Sequence, residues 1–245
     1  MSKILVVAES GFGKTTSLIA DAEYGIKGLN PKETYIISVT SKPLPGRGSS
    51  KLYPIYPNFN ANIKDANTLA PYRRIVSNDA AVISAAIDLI LLTPIRNIVL
   101  DDANYIMQDY YMAKALSSGW DTPKKIGFDM NKIFSSMERV PETKNFIMLA
   151  HGEEYDKTDG RKGYRLKTTG KMVQEYITPE GKFDIVLIGK SSYDDTNKKV
   201  LKQFVTNDDG VYSSAKSHKI FPNVYINNDM GYVVDMAYAY YNEPE

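Results

Sequence analysis

The chain contains no cysteine, which removes disulfides, thiolate zinc clusters and thiol nucleophiles from consideration and suits a reducing compartment. It also lacks charge of one sign: 30 lysines and arginines stand against 29 aspartates and glutamates. No global field therefore draws it to nucleic acid or to an anionic membrane, and such contacts must come from local patches. No apolar stretch approaches the roughly 20 uninterrupted residues of a membrane span. The short apolar run after Lys3 ends within a few residues in a glycine-rich segment, so it is not a signal peptide. No internal repeat or low-complexity run interrupts the chain. Its 245 residues, 43% hydrophobic, can bury one large core. The expectation is a soluble, cytoplasmic protein of a single domain spanning 1–245, with no membrane partner.

What is present is a series of short apolar runs at 4–8, 35–39, 97–100, 146–150 and 184–188. Each is too short for a helix, and helical patterning separates them, as in strands buried on both faces of a parallel sheet. Between the second and third runs, Val82, Ile83, Ala86, Ile87, Ile90 and Leu91 share one helical face, with Ser77 or Asn78 as the cap and Pro94 as the stop. Further helices are expected at 103–116 and 123–137. The fold class is therefore α/β: a doubly wound, mainly parallel sheet. Residues 40–60, rich in proline and glycine, read as a long surface loop, and 152–170 as a second irregular stretch. Alternation at 199–206 and 210–213, joined through Asn207-Asp208-Asp209-Gly210, predicts an antiparallel hairpin appended at the C-terminal end.

The segment Ala8-Glu9-Ser10-Gly11-Phe12-Gly13-Lys14-Thr15-Thr16 directly follows the first apolar run. A strand, a tight glycine turn, Lys-Thr and a following helix make a phosphate-binding loop. Consecutive backbone N–H groups face a polyphosphate, Lys14 reaches the β- and γ-phosphates, and the Thr15 hydroxyl ligates Mg²⁺. Glu9 to Thr16 are the expected ATP-binding residues. One position departs from the pattern: Ala8 stands where glycine is usual.

Asn97-Ile98-Val99-Leu100-Asp101-Asp102 is an apolar strand ending in two carboxylates. That arrangement sets Asp101 beside the metal held by Thr15. Asp102 has two readings: it orients or deprotonates the attacking water, or it caps the next helix. His151 follows the run 146–150 and emerges at the same sheet edge, either as a sensor of the γ-phosphate or as a loop histidine bonded to backbone. No role falls to His218. Lys157, Arg161, Lys162, Arg165, Lys167 and Lys171 crowd around Tyr164 with only Asp159 as an acid near the centre. That patch suits the backbone of single-stranded nucleic acid, with Tyr164 as a stacking face, or else it is a solvated charged loop. Lys42, Arg47 and Lys51 are weaker candidates to extend such a groove. The tyrosine cluster at Tyr232, Tyr238, Tyr240 and Tyr241 reads as core or interface filler.

Taken together, AESGFGKTTS at 8–17, Lys42-Pro43-Leu44-Pro45, IVLDDANYIM at 98–107, LAHGEEY at 149–155, LKTTGK at 166–171, TNDDGVYSSAKS at 206–217 and INND at 226–229 form an ordered set. This set resembles the phage Sak-type single-strand annealing proteins, ATPases with a RecA-like core. The resemblance runs almost the full length. It implies an ATPase that binds single-stranded DNA, forms rings or filaments, and anneals or exchanges strands beside a phage single-strand-binding protein in the host cytoplasm. It also implies a site shared between subunits, in which Lys216 looks like the basic residue that completes a neighbour's site; otherwise Lys216 is an exposed surface lysine.

Two rivals remain. A phosphate-loop kinase would use Arg161 and Arg165 as a lid, although no acceptor pocket is visible before the third strand. A nucleotide-gated binding module would leave Asp102 as a cap. A GTPase lacks its Asn-Lys-x-Asp guanine-reading motif here.

Overall fold

The computed structural model describes residues 2–116, 121–158, 162–170 and 172–242. The apolar runs become the centre of a nine-stranded sheet. Its strands are β1 (Lys3–Ala8), β2 (Thr34–Ser38), β3 (Arg74–Val76), β4 (Asn97–Asp101), β5 (Asn145–Asp156), β6 (Lys162–Leu166), β7 (Ile185–Asp194), β8 (Lys199–Val205) and β9 (Tyr225–Asn227). They lie in the order β3-β2-β4-β5-β1-β7-β8-β9, with β6 joined to β5 off this path. Pairing is parallel from β3 to β7 and antiparallel for β7–β8, β8–β9 and β5–β6.

Five α-helices lie among the described residues: α1 (Ser49–Leu52), a single turn, then α2 (Ala80–Leu91), α3 (Asn104–Ala113), α4 (Asp121–Glu138) and α5 (Met230–Asn242). Alternate strand residues face opposite layers. Leu5, Val7, Ile37 and Leu100 pack with Ile83, Ile87, Met107 and Phe134 of α2, α3 and α4. Ile4, Val6, Val99 and Leu149 pack on the other side with Leu18, Phe204, and Met230 and Val233 of α5. Coverage of both faces is why the central strands are continuously apolar. Each fully buried isoleucine or leucine contributes on the order of 1.5–3 kcal/mol. The sheet is thus the doubly wound, mainly parallel α/β sheet with appended antiparallel strands that the patterning implies. No helix among the described residues is long and apolar enough to cross a membrane.

Several local expectations are corrected. The helix expected after the phosphate loop is only a 3₁₀ turn, Thr16–Leu18. Thr15, Thr16 and Ser17 are weak helix formers, and the Ser17 hydroxyl donates to the Lys14 carbonyl at 2.6 Å, a side-chain bond that competes with helix propagation. Asp79, not Ser77 or Asn78, caps α2, accepting from the N–H groups of Ala81 and Val82. The stretch 152–170 is largely ordered, because β5 runs on past the sheet and folds back as β6. The C-terminal hairpin pairs β7 with β8, while Gly210 to Ser213 form no strand. Instead, Asp209 accepts from the N–H groups of Val211 and Tyr212 and holds a turn. Short β3 lies within a polar stretch and has no apolar run of its own.

Candidate active site

Strand register brings the two motifs to one edge. Ala8 of β1 pairs with His151 of β5, and Ser38 of β2 with Asp101 of β4, so all four lie where the parallel pairing ends on its C-terminal side, where doubly wound sheets bind ligands. The loop after β1 turns through positive φ at Gly11 (79°) and Gly13 (98°), which glycine alone adopts freely. A Cβ on Gly13 would also meet Asn228 Nδ2 at 3.3 Å. Phe12 points inward, 3% exposed, with its ring 5.9 Å from that of Phe204. It anchors the loop from below. The alanine at position 8 is accommodated by a glycine opposite: a Cβ on Gly189 would lie 2.4 Å from that of Ala8. Ser10, Lys14, Thr15 and Thr16 line a cleft of about 360 Å³, together with Asp101 and Asp102. Glu9 contributes its carbonyl to Lys14.

Lys14 is buried, and its ammonium donates to the carbonyls of Ala8 (3.1 Å) and Glu9 (3.0 Å) and to His151 Nδ1 (3.2 Å). Burial lowers its pKa to about 8, against the opposing pull of Asp102 and Asp101. An ammonium has no acceptor, so His151 receives at Nδ1 and carries its proton on Nε2. Burial first, then Lys14, lowers the His151 pKa, leaving a neutral ring at pH 7. Its Nε2 lies 3.8 Å from Asp102 Oδ1.

Thr15 Oγ1 donates to Asp101 at 3.0 and 3.2 Å, so hydroxyl and carboxylate share one spot beside the loop. Burial, then the charge of Asp102, pushes Asp101 up to about 6, despite the Thr15 bond. A hard cation there would restore the charged form. Mg²⁺ is commonly held by one or two carboxylates plus substrate phosphates rather than by a protein cage. A hydroxyl and a carboxylate side by side at the phosphate loop fit that chemistry.

The strained state of Asp101 has a measurable sign. A carboxyl whose folded pKa lies above its unfolded value of about 3.9 stabilises the fold fully below that value, and the contribution is lost as pH rises through about 6. At pH 8 the buried charge therefore costs up to roughly 3 kcal/mol. Asp101→Asn is expected to raise the Tm of the ligand-free protein at pH 8 by about 5 °C or more, with the gain vanishing toward pH 4. If Mg²⁺ with ATP stabilises the wild type, the same variant should lose that stabilisation. A drop in Tm at pH 8 would show that the carboxylate is needed by the fold itself.

Asp102 is not a helix cap. The residue before α3 is Ala103, and no side chain caps that helix. Asp102 instead adopts φ 64°, a left-handed conformation that Asp tolerates and that functional sites often use, and turns its carboxylate into the cleft. Oδ2 accepts the Thr40 hydroxyl at 3.0 Å and lies 3.6 Å from Lys42 Nζ.

The nucleic-acid patch is altered by strand pairing. β6 lies against an acidic stretch of β5, with Glu153 opposite Arg165, Glu154 opposite Tyr164 and Asp156 opposite Lys162. Arg165 Nε donates to Glu153 at 3.1 Å, and its guanidinium covers the Tyr155 ring at 4.8 Å. Tyr164 is 6% exposed and packs edge-on against Tyr212, so it offers no face to a base. The first correction comes from a cross-strand neighbour and the second from a turn residue packed against β6, neither of which linear sequence juxtaposes. Lys167 is exposed, while Arg161, Lys171 and the side chain of Lys162 lie outside the described residues. Lys42, a weaker candidate to extend a DNA groove, lines the cleft beside Asp102. Lys216 forms a backbone bridge to Val186, the second residue of β7, and does not line its own cleft, and His218 is exposed.

Sequence reasoning missed the supporting residues. Arg74, buried, donates to Ser38 Oγ and to the Lys42 carbonyl, and so fixes the proline segment over Asp101. Asn104 bonds both the His151 backbone and the Lys167 carbonyl. Asn228 Nδ2 donates to the Gly13 carbonyl at 3.0 Å. Asp229 accepts from the N–H groups of Lys27 and Gly28. The segments Lys42–Pro45 and 226–229 stood out as motifs, but only their contacts assign them to the loop.

No family model matches the chain, and no curated protein matches it. Among solved structures, a KaiC-like protein from the hyperthermophilic archaeon Pyrococcus horikoshii OT3 is similar at 10% identity and a TM-score of 0.39, over 83% of this chain and 77% of that one. At that level no property of the archaeal protein transfers, and the functional reading rests on the cleft.

Proposed function

We propose that the protein binds ATP with Mg²⁺ and hydrolyses it, and that it applies this cycle to single-stranded DNA as an oligomer in phage strand annealing or exchange. The observation that carries the nucleotide part is the Thr15–Asp101 bond beside Lys14, with Asp102 facing the same cleft. Thr15 and Asp101 would hold Mg²⁺, which would supply positive charge against the negative charge that develops on the phosphates. Lys14 exchanges loop carbonyls for phosphate oxygens, which supply the negative charge its buried ammonium lacks. Asp102, braced by Thr40 and Lys42, orients a water and takes its proton.

The DNA part is supported by the resemblance and by the hairpin that leads from His151 through β5 to β6, with the exposed Lys167 directly after it. A γ-phosphate lost beside Lys14 changes the partner of His151, and Asn104 ties His151 to the Lys167 carbonyl. In a ring or filament, Lys216 reaches the neighbouring subunit's site. A phage single-strand-binding protein is the expected companion.

Phosphate release measured with and without single-stranded DNA tests this reading. Stimulation by DNA is the expected result, acceptor-dependent transfer would indicate a kinase, and silence a nucleotide-gated binding module. Replacing Arg161, Lys162 and Lys167 together by Ala is expected to flatten the log–log salt dependence of DNA binding by about 2, at roughly 0.7 per phosphate contact. ATP affinity without DNA should be unchanged. An unaltered slope would remove the hairpin from the DNA surface.

A further inference from the structure

We propose that Lys202, on the appended antiparallel strand β8, is a second phosphate-binding lysine, supplied to the cleft by the same chain. This inference rests on the nucleotide reading above. Its starting point is a deficit. Phosphate loops usually draw anions with the N-terminus of a following helix, worth about half an elementary charge, but here a three-residue 3₁₀ turn takes that place. Little helix dipole is available, so side chains must supply the missing positive charge.

The C-terminal strands reach the loop at two points. Lys202 Nζ donates to the Gly11 carbonyl at 2.9 Å, and Asn228 Nδ2 donates to the Gly13 carbonyl at 3.0 Å. The Asn228 N–H in turn donates to the Lys202 carbonyl at 3.2 Å, so the two contacts form one unit clasping both loop glycines from outside. They differ in character. Asn228 is 4% exposed, a fixed prop. Lys202 is exposed and lines the cleft, and its ammonium donates to the Gly11 carbonyl. An ammonium has three donors, which leaves two for a phosphate. Lys42, across the cleft, is already beside Asp102. Lys202 thus has donors to spare, and it sits at the apex of the loop, where it would meet a bound polyphosphate.

Binding of ATP, ADP and AMP, measured by calorimetry at several salt concentrations, tests the proposal with wild type, Lys202→Gln and Lys202→Arg. Lys202→Gln should weaken ATP by about tenfold or more, weaken ADP less, leave AMP unchanged, and reduce the salt dependence. Lys202→Arg should recover most of the ATP affinity. A merely structural clasp predicts an equal loss for all three nucleotides with salt dependence intact, and that pattern overturns the proposal. So does unchanged ATP affinity in Lys202→Gln. If the wild type binds no ATP, the nucleotide reading itself falls and this inference with it. Wild-type binding that Lys202→Gln leaves intact removes this inference alone.

Discussion

Lys14→Ala is expected to lower ATP affinity by at least about 10²-fold and to bring hydrolysis to background, with the fold retained. Two charge-assisted bonds to phosphate, at roughly 1.5–3 kcal/mol each, account for that loss. Retention of the fold follows from two opposed effects in the ligand-free protein. The substitution strips a donor from the carbonyls of Ala8 and Glu9 and from His151, but it also removes an ammonium whose pKa burial has lowered to about 8. These offset, so thermal unfolding should move by only a few degrees. Calorimetric titration with ATP beside a melting curve checks both halves. Unaltered ATP affinity would sink the phosphate-loop assignment, and a protein that no longer unfolds cooperatively would show that Lys14 is a structural residue.

For Asp102→Asn, turnover should fall by roughly 10²-fold or more, the scale of losing a positioned base, while ATP binding holds or tightens. Binding improves because a carboxylate is removed from beside a polyphosphate. The exchange is clean at the backbone: asparagine tolerates the left-handed conformation that Asp102 adopts at φ 64°, and its amide oxygen still accepts the Thr40 hydroxyl. Single-turnover phosphate release with the nucleotide prebound measures the chemical step directly. If the rate is unchanged, Asp102 only braces Lys42 and Thr40, and another group must activate the water.

His151 shows how far linear reading reaches. Its place after an apolar run put it at the phosphate edge, and the register opposite Ala8 agrees. That its Nδ1 would receive Lys14, which sets its tautomer, required the two strands to be adjacent. Tyr164 shows the opposite case. Among six basic residues it reads as a stacking face, yet pairing with the acidic half of β5 and burial against Tyr212 give it to the core.

The sequence by itself determined the local chemistry: a strand, a glycine turn and Lys14-Thr15, then a second apolar strand ending in Asp101-Asp102. Each is a contiguous segment whose residue types dictate its own conformation. Apolar periodicity likewise determined a parallel sheet covered on both faces. Only the tertiary structure decided what surrounds that chemistry. Strand order set β5 between β1 and β4 and so brought His151 to Lys14, while Arg74 crossed from β3 to hold Lys42. The appended strands carried Lys202 and Asn228 about two hundred residues along the chain to the carbonyls of Gly11 and Gly13. Such contacts come from long-range pairing and from the packing of one layer on another, and neither leaves a periodic trace in the segments that meet.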